Sequence, residues 1–442
     1  MASLLPSESL SKETLTSFCE QCLSRVSAVS NESSPKISSV CPICLDLFHL
    51  NTLNNILDSL RSQAQEYTTQ TFNVHLILST SQRFSELLMV KTGICSNPIA
   101  LKDVFKATFL PMLSSSVCKS FSTDSPLSIH FQVQSPEADT VICDTVGKRN
   151  RKRRYKSRSG CPKVSHDINS PLAVNHSDLE AFLSLRSSDE LSNFLSSLTW
   201  SLPCSLSFTL VHDPFYLFGF YKKLLRGIPQ SQFPGYDTDM ASEAFNPFLP
   251  LLGADSFRFE SAGREDIDVR CLEGRPFVVT FHNPRKVDVS IERIRTVVEE
   301  SVRPFGIVDL IDLETSLDGK TFRTFVKNAE TMKKKQYRCV VHLENSFGNK
   351  CLDFVGQAFT LEQETPLRVL HRRTLLTRTR MVQIDHVEVL NQHWVLLDLT
   401  TEAGTYVKEF VHSDLGRTRP SLTSLIGCQC ELKQLDVVKL II

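Results

Sequence analysis

The sequence predicts an α+β fold built from two or three domains. A chain of 442 residues is long enough to bury more than one core. Over residues 51–146, segments with helical apolar spacing alternate with strand-like segments, as in a small α/β module. After residue 205, strand-like runs are more frequent, with helical segments between them. The two patterns indicate domains of different organisation.

The composition restricts the partners that the chain can attract. Lysine plus arginine and aspartate plus glutamate number 49 each, so any binding to nucleic acid must come from local clusters. We find no apolar run of about 18 residues and no basic, apolar leader, and therefore expect neither a membrane span nor a secretory signal. In a soluble intracellular protein, the 14 cysteines are expected to be metal ligands or buried thiols rather than disulfides.

Two Cys-x-x-Cys motifs lie near the N-terminus. Cys19 and Cys22 form the first motif, and Cys41 and Cys44 form the second. Each motif places two thiolates on one tight turn, and two such turns supply the four soft ligands of a tetrahedral zinc site. We therefore expect a structural zinc with no open position for catalysis. Four unrelated reduced cysteines and a redox-active pair are the alternatives.

The first module has a regular alternation of predicted elements. Apolar residues at helical spacing predict a helix over 52–67, and further helices are expected over 81–91 and 101–113. Residues 73–79 are expected to form a strand, and apolar and polar residues alternate over 127–133 as in a half-buried strand. The module is therefore expected to be a small α/β layer structure.

A strongly basic run follows this module at residues 148–158. Such a run repels itself and stays extended, which suits a nuclear import signal, a phosphate-binding arm or a plain solvated linker. We place the domain boundary here, with domains at 15–147 and 173–442 and a linker at 148–172. The run is consistent with a protein of the nucleus, the cytoplasm or both, and an organelle is not excluded.

The second half contains further predicted helices and strands. Helices are expected over 178–198 and 289–302, and strands over 206–211, 277–282, 307–313 and onward from residue 333. The segment from Pro214 to Lys223 is rich in aromatic residues and ends in lysines. It suits either a buried strand or a surface that stacks on unpaired bases.

The stretch from Ser261 to Arg270 is the strongest candidate for a functional site. It is densely charged, yet strand-like runs flank it on both sides, so a solvated linker explains it poorly. Gly263 permits a tight turn, and Asp266 and Asp268 would project to the same side of an extended segment. Taken alone, such carboxylates are more often turn formers that bind their own backbone.

Four separated motifs resemble, in the same order, those of the archaeal and eukaryotic tRNA pseudouridine synthases that carry an N-terminal THUMP-like domain. They are Gly-Arg-Glu-Asp-x-Asp-Val-Arg from Gly263, Lys-x-Tyr ending at Tyr337, the string Thr365–Arg373, and Gly-Thr-Tyr-x-Lys ending at Lys408. The chain departs from the family's Gly-Arg-Tyr-x-Lys element, because Phe220 stands where the arginine is expected.

The resemblance implies a THUMP-like RNA-binding module followed by a catalytic domain with a central antiparallel or mixed sheet flanked by helices. Asp266 is then the catalytic residue, and Lys408 pairs with it. Arg264 fills the place of a flipped-out uridine, and Tyr337 stacks on the extracted base. Tyr406, from the same motif as Lys408, completes the substrate-binding set.

The resemblance further implies an enzyme that converts uridine to pseudouridine in the T-arm of tRNA at positions 54 and 55. This reaction needs no organic cofactor, in agreement with the absence of a Gly-rich phosphate loop or a dinucleotide motif from the sequence, and we expect a monomer. Apolar and basic residues alternate from Thr365 to Arg373 and continue to Arg378 and Arg380, which predicts a strand with a positive face for phosphates. An RNA-binding protein without catalysis and a zinc-nucleated interaction protein are the alternatives.

Overall fold

The computed structural model describes residues 18–25, 40–95, 97–147, 174–330, 334–346 and 350–441. Its internal contacts divide the chain into two compact units, one that ends at His212 and one that begins at Asp213. Each unit has its own sheet and hydrophobic core, which confirms the α+β fold. The basic run and the predicted linker lie outside the described residues.

The first unit is a four-stranded mixed sheet with helices packed against it. Its strands are β1 (Thr71–Ile77), β2 (Ser120–Phe121), β3 (Leu127–Gln134) and β4 (Ser205–His212). Its described helices are α1 (Glu20–Ser24), α2 (Leu50–Ala64), α3 (Thr80–Lys91), α4 (Leu101–Val117), α5 (Pro136–Val146), α6 (His176–Ser184) and α7 (Ser188–Ser197). The strand order is β2, β1, β3, β4, in which β1 is parallel to both neighbours and β4 is antiparallel to β3.

Local sequence signals explain where these elements begin and which face they bury. Alternate residues of β3 are buried, so one face of the sheet contacts the core and the other is more open. Helix α3 begins after Ser79, whose hydroxyl accepts a hydrogen bond from the Gln82 amide while the Gln82 side chain bonds the Ser79 amide. This reciprocal capping satisfies two amides that the first turn would otherwise leave unpaired.

The single helix predicted over 178–198 is two helices, α6 and α7, separated by residues 185–187. Ser187 caps α7 with its hydroxyl, and Glu190 bonds back to the Ser187 amide at 2.8 Å. A Ser-x-x-Glu pattern of this kind starts a new helix even where the apolar spacing continues.

The division after His212 corrects the predicted start of the second domain at residue 173. Strand β4 pairs with β3 along its whole length, from Ser205 opposite Gln134 to His212 opposite Leu127. Helices α6 and α7 also bury their apolar faces in the core of the first unit. Strand pairing over so long a separation has no local signal in the sequence, whereas the polar linker has one, and it predicts a boundary 40 residues too early.

The second unit is a ten-stranded mixed sheet with short helices. Its strands are β5 (Phe215–Lys223), β6 (Ser256–Ser261), β7 (Val269–His282), β8 (Val308–Ser316), β9 (Lys334–Leu343), β10 (Ala358–Glu364), β11 (Thr377–Asn391), β12 (Trp394–Glu402), β13 (Thr418–Arg419) and β14 (Cys430–Ile441). Its helices are α8 (Met240–Phe245), α9 (Phe248–Leu252), α10 (Ile291–Val297), α11 (Lys320–Glu330), α12 (Val407–His412) and α13 (Leu422–Ile426). Within the described ranges, no helix is both long and apolar enough to cross a membrane.

Strand β14 lies in the middle of this sheet. It is parallel to β7 on one side and antiparallel to β9 on the other. The strands β5 to β8 pack a phenylalanine-rich core, in which the rings of Phe245 and Phe277 are 5.1 Å apart. The strands β9 to β12 and the helix α12 pack a second, mostly aliphatic core. The sheet expected from the family resemblance is therefore present.

Two elements predicted in this unit are wrong in kind or length. The string Thr365–Arg373 is not a strand, because it turns through a short 3₁₀ helix at Leu367–Val369 that begins after Pro366. Proline lacks the amide that a strand would use for pairing and suits the start of a helical turn. The helix predicted over 289–302 is α-helical only as α10 and continues as a π turn at Val298–Val302.

Candidate functional site

Residues 262–268 form a loop that connects β6 and β7. Gly263 has a φ of +89°, and a Cβ there would lie 2.9 Å from the Nη1 atom of Arg275, so this turn requires glycine. The loop closes where the Val269 amide donates to the Asp266 carbonyl at 3.1 Å. The extended geometry predicted for this stretch is therefore wrong, although its place between two strands is confirmed.

One face of the loop is buried around Glu265. The Tyr221 hydroxyl donates to the Glu265 carboxylate at 2.8 Å, and the Arg275 guanidinium forms an ion pair with it. Arg275 also donates to the Ala262 carbonyl at 2.7 Å. Burial and the charge of Glu265 raise the pKa of Tyr221 well above its usual value. Glu265 is therefore a buried anchor of the loop rather than a reacting group.

The other face of the loop presents two carboxylates to solvent. Asp266 Oδ2 lies 3.1 Å from Arg368 Nη1 and 3.4 Å from Lys408 Nζ. The same ammonium bonds both oxygens of Asp268, at 2.8 and 2.7 Å. We call these four residues the carboxylate site. The Asp266 side chain is 38% exposed, so a ligand can reach it.

The charges of the carboxylate site stabilise one another. Burial acts to raise the pKa of Asp268, but the hydrogen bond and charge of Lys408 outweigh it and lower that pKa. Burial acts to lower the pKa of Arg368, but Glu409, Asp266 and Asp268 outweigh it and raise that pKa. Two cations therefore face Asp266 and Asp268, and Glu409 adds a third carboxylate beside Arg368.

Lys408 belongs to the first turn of α12, which the preceding residue Tyr406 helps to position. The side-chain amide of Gln363 donates to the Tyr406 carbonyl at 3.0 Å and accepts from the Tyr406 amide at 2.9 Å. The guanidinium of Arg378 lies 6.0 Å from the centre of the Tyr406 ring. The fourth motif is thus held to strands β10 and β11, and the predicted pairing of Lys408 with Asp266 is present in the structure.

Arg368 and Glu409 are members of this arrangement that were not predicted from sequence. Arg368 Nε donates to Glu409 Oε1 at 2.7 Å, and the Glu409 side chain is only 1% exposed. The 3₁₀ turn that carries Arg368 is held by the Leu367 amide, which donates to Asp414 at 3.1 Å. The sequence signal for Arg368 was its place in the basic string Thr365–Arg373. Because that string was expected to be a strand with a phosphate-binding face, contact of Arg368 with Asp266 was not predicted.

The predicted base-contacting residues lie on different elements around the loop. Arg264 is exposed, forms no ion pair with the rest of the described chain, and has its guanidinium 6.0 Å from the ring of Phe233. Tyr337 lies on β9, where burial raises its pKa to about 12. Lys335 precedes it on the same strand, and burial and the charge of Arg275 lower its pKa to about 8.

Phe220, the departure from the family pattern, lies on β5 opposite Pro276 and Ile311. Its ring packs 6.0 Å from that of Phe218, in an edge-to-face arrangement. At this position the chain therefore has an apolar packing group where the family pattern has a cation.

The cysteine cluster of the first unit consists of Cys19, Cys22, Cys41 and Cys44. All four are buried, and their sulfur atoms lie within 4.8 Å of one another, with Cys19 and Cys44 at 3.5 Å. Four thiolates about 2.3 Å from a tetrahedral zinc would be about 3.8 Å apart, which this spacing fits. The cluster can therefore hold a metal ion, as the two motifs predict.

Comparison with known proteins assigns the second unit to a family. Residues 216–440, just over half of the chain, match the family model described as "Pus10, C-terminal". The chain belongs to the Pus10 family. The Pus10 match runs from β5 to β14 and therefore includes every residue of the carboxylate site.

Curated Pus10 relatives occur in eukaryotes and archaea. The human "tRNA pseudouridine synthase Pus10" is 32% identical over 240 residues, which cover 52% of this chain and 45% of that protein. A relative of the same name from Methanosphaera stadtmanae is 32% identical over 245 residues, covering 51% and 59% of the two chains. The "Putative tRNA pseudouridine synthase Pus10" of Drosophila melanogaster is 28% identical over 445 residues, covering 93% and 86%. The chain thus spans about half the length of the human and archaeal relatives.

Proposed function

We propose that this protein is a tRNA pseudouridine synthase, an isomerase that converts uridine to pseudouridine. The observation that carries the proposal is the partly exposed Asp266 carboxylate, held between Arg368 and Lys408 inside the segment that matches the Pus10 family. The human and archaeal relatives are named for this activity.

The reaction breaks the N1–C1′ bond of uridine, turns the uracil, and joins its C5 to C1′ before the C5 proton leaves. Asp266 has two routes open to it: attack as a nucleophile, or removal of a proton from the sugar. Both routes use the ionised carboxylate. Arg368 and Lys408 approach the same Asp266 oxygen, so they orient the group while its other oxygen stays available to a substrate.

The target uridine must leave its base stack to reach Asp266. Arg264 supports this step, because its exposed guanidinium on the loop is available to occupy the vacated place in the RNA. Tyr337, on strand β9, which β14 separates from β7, would stack on the extracted uracil, and Tyr406 would contact the substrate beside Lys408. These roles follow the resemblance and the position of each residue around the loop.

We further propose the T-arm uridines at tRNA positions 54 and 55 as the targets, as the family resemblance implies. The test is to incubate the full chain with an unmodified tRNA transcript and to map pseudouridine by carbodiimide labelling. Transcripts with cytidine at position 54 or 55 identify which uridine is converted. We expect pseudouridine at one or both positions and loss of the matching signal in each control transcript.

A second function, tRNA binding without catalysis, is favoured by one observation, the apolar Phe220 at the position of the motif's arginine. In that case the transcript would bind to the protein, and no pseudouridine would form. The same incubation therefore separates the two functions.

For the first unit we propose a structural zinc bound by Cys19, Cys22, Cys41 and Cys44 and an accessory, THUMP-like role in RNA binding. Support for zinc comes from the burial and spacing of the four sulfurs, which leave no open position for a substrate. Zinc would join the α1 segment to the turn around Cys41 and so contribute to folding.

We also propose that the protein acts as a monomer in the nucleus, the cytoplasm or both. The basic run at 148–158 of the sequence supports nuclear import or phosphate binding. Light scattering measures the mass in solution, and imaging of a variant with this run neutralised tests the location.

A further inference from the structure

The end of β5 and the residues after it run beneath the loop that carries Asp266. Lys223 Nζ donates to the Asp266 carbonyl at 3.1 Å and to the Ile267 carbonyl at 3.0 Å. Arg226 Nη1 donates to the next carbonyl, that of Asp268, at 2.9 Å. Three consecutive carbonyls of the loop therefore accept hydrogen bonds from two cationic side chains of one short segment.

Lys223 is unusual because it is fully buried. In the part of the chain that the structure describes, no carboxylate forms an ion pair with it, and its hydrogen-bond acceptors are the two loop carbonyls. Burial lowers its pKa, while the more distant charges of Glu265, Asp268 and Asp266 raise it and only partly offset this effect. Burying an ammonium costs desolvation free energy, and hydrogen bonds to carbonyls without an ion pair offset this cost poorly, so a purely stabilising role explains Lys223 badly.

The two carbonyls do not need Lys223 to be satisfied. The Asp266 carbonyl also accepts from the Val269 amide at 3.1 Å, and the Ile267 carbonyl accepts from the Gly227 amide at 3.0 Å. Removal of the ammonium would thus leave each carbonyl with a backbone donor and no orphaned acceptor. The ammonium gives each of these two carbonyls a second hydrogen bond, which further restricts the backbone after Asp266.

Given the proposed function, we propose that Lys223 is a positioning residue for Asp266. Its ammonium, together with the Arg226 guanidinium, fixes the backbone of residues 266–268 from below. The Asp266 carboxylate therefore faces the bound uridine without having to be reoriented in each turnover. Because a displacement of about 1 Å can reduce a rate about a hundredfold, loss of this constraint acts on the chemical step more than on tRNA binding.

The test is Lys223→Met in the full chain, which keeps an unbranched side chain one atom shorter and removes the charge and the donors. With unmodified tRNA transcript and saturating protein, we expect the single-turnover rate constant for pseudouridine formation to fall about 10- to 100-fold. The Kd for the same transcript should stay within about twofold, since the phosphate contacts lie elsewhere. The melting temperature should stay within about 3 °C of the wild type, because no acceptor is orphaned.

Two control variants separate positioning from stability. Lys222→Met removes the adjacent lysine, which makes none of these hydrogen bonds, and should keep the rate within about twofold. Val395→Ala opens a cavity in the buried part of β12 and should lower the melting temperature while keeping the rate at temperatures below the transition. Arg226 is not used as a second test, because it also donates to the Leu435 carbonyl at 2.7 Å and forms an ion pair with the buried Asp436, so its removal would disturb β14 as well as the loop.

Each outcome decides between the possibilities. A Lys223→Met protein as fast as the wild type shows that Lys223 does not position Asp266. Insolubility of this variant, or a loss of rate and melting temperature together, assigns Lys223 a structural role and overturns the proposal. A wild-type protein that binds the transcript and forms no pseudouridine refutes the proposed function itself, and the positioning role falls with it.

Discussion

The cysteine cluster of the first unit and the carboxylate site of the second each bring four reactive side chains together, but they differ in access to solvent. The four cysteines are at most 9% exposed, and each sulfur faces the other three. In the carboxylate site the side chain of Asp268 is 65% exposed and that of Asp266 is 38% exposed. One site is closed on itself, and the other is open on one face.

This difference separates groups that hold the protein together from groups that can act on another molecule. A closed set of four soft ligands saturates a metal and leaves no position for a substrate. In the open site, Glu265, Arg275 and Lys223 hold the buried face of the loop, and the face with Asp266 and Asp268 is exposed to solvent. Substitutions in the two sites should therefore affect different measurable properties.

The largest effect is expected from breaking the closed site. Cys41→Ser removes one thiolate, so we expect loss of the metal and a loss of several kcal/mol of stability in the first unit. Trp200 reports this directly, because its indole N–H lies 3.4 Å from the Pro42 carbonyl between the two cysteines of the second motif. In a Trp394→Phe background, the Trp200 emission should shift to the red and elemental analysis should find no zinc.

Cys204→Ser is the matched control for this change. Cys204 is also buried in the first unit, with its sulfur 3.8 Å from the Cys44 carbonyl, but it is not a member of the cluster. This variant should keep one zinc per chain. Native protein that contains no zinc would contradict the proposal of a structural metal.

The second effect comes from breaking the open site without disturbing the fold. Asp266→Asn keeps the size of the side chain and removes its charge, so pseudouridine formation should fall at least about a thousandfold. The Kd for tRNA should change by less than about tenfold, about 1.4 kcal/mol, because most RNA contacts lie elsewhere. Asp268→Asn should retain measurable turnover. A fully active Asp266→Asn protein would favour a different catalytic residue.

The smallest effect concerns Lys335, a largely buried lysine near the carboxylate site whose charge lowers the stability of the second unit. Lys335 has a pKa of about 8 in the folded protein and 10.5 as the ordinary value. Between these values the unfolded chain binds more protons, so the free energy of unfolding rises with pH through this window. Below about pH 8 the charged lysine is destabilising. We therefore expect Lys335→Met to be more stable than the wild type at pH 7, by about 1 to 3 kcal/mol.

Chemical denaturation at pH 7 and pH 10 checks this expectation. In a Trp200→Phe background only Trp394 remains, and it reports the second unit alone. The advantage of Lys335→Met should shrink as the pH rises, because the lysine of the folded wild type then loses its proton and no longer carries a buried charge. An advantage that is the same at both pH values would exclude this titration as its cause.

Short-range patterns predicted most of what the two sites contain. The paired cysteines are recognisable because their spacing within a few residues determines the local geometry, whereas the stretch around Asp266 is recognisable through its resemblance to a family motif. Arg368 and Glu409 were not predicted as site residues, because the string that contains Arg368 was interpreted as a strand and no motif points to the Arg368–Glu409 pair. The buried role of Lys223 was equally hidden, since a lysine at a strand end usually faces solvent.

The central position of β14 has a consequence for how the protein is made. Strands β6 and β7 carry the loop with Asp266, whereas Arg368 and Lys408 come from segments that follow β10 and β12. In the sheet these two groups of strands are joined by β14, which pairs with β7 and with β9. During synthesis β14 leaves the ribosome after all of these strands. Until then, the edges of β7 and β9 that pair with β14 in the folded sheet stay unpaired. We therefore expect Asp266 to pair with Arg368 and Lys408 only late in synthesis. A nascent chain that stops before β14 would contain all four residues of the carboxylate site without holding them together.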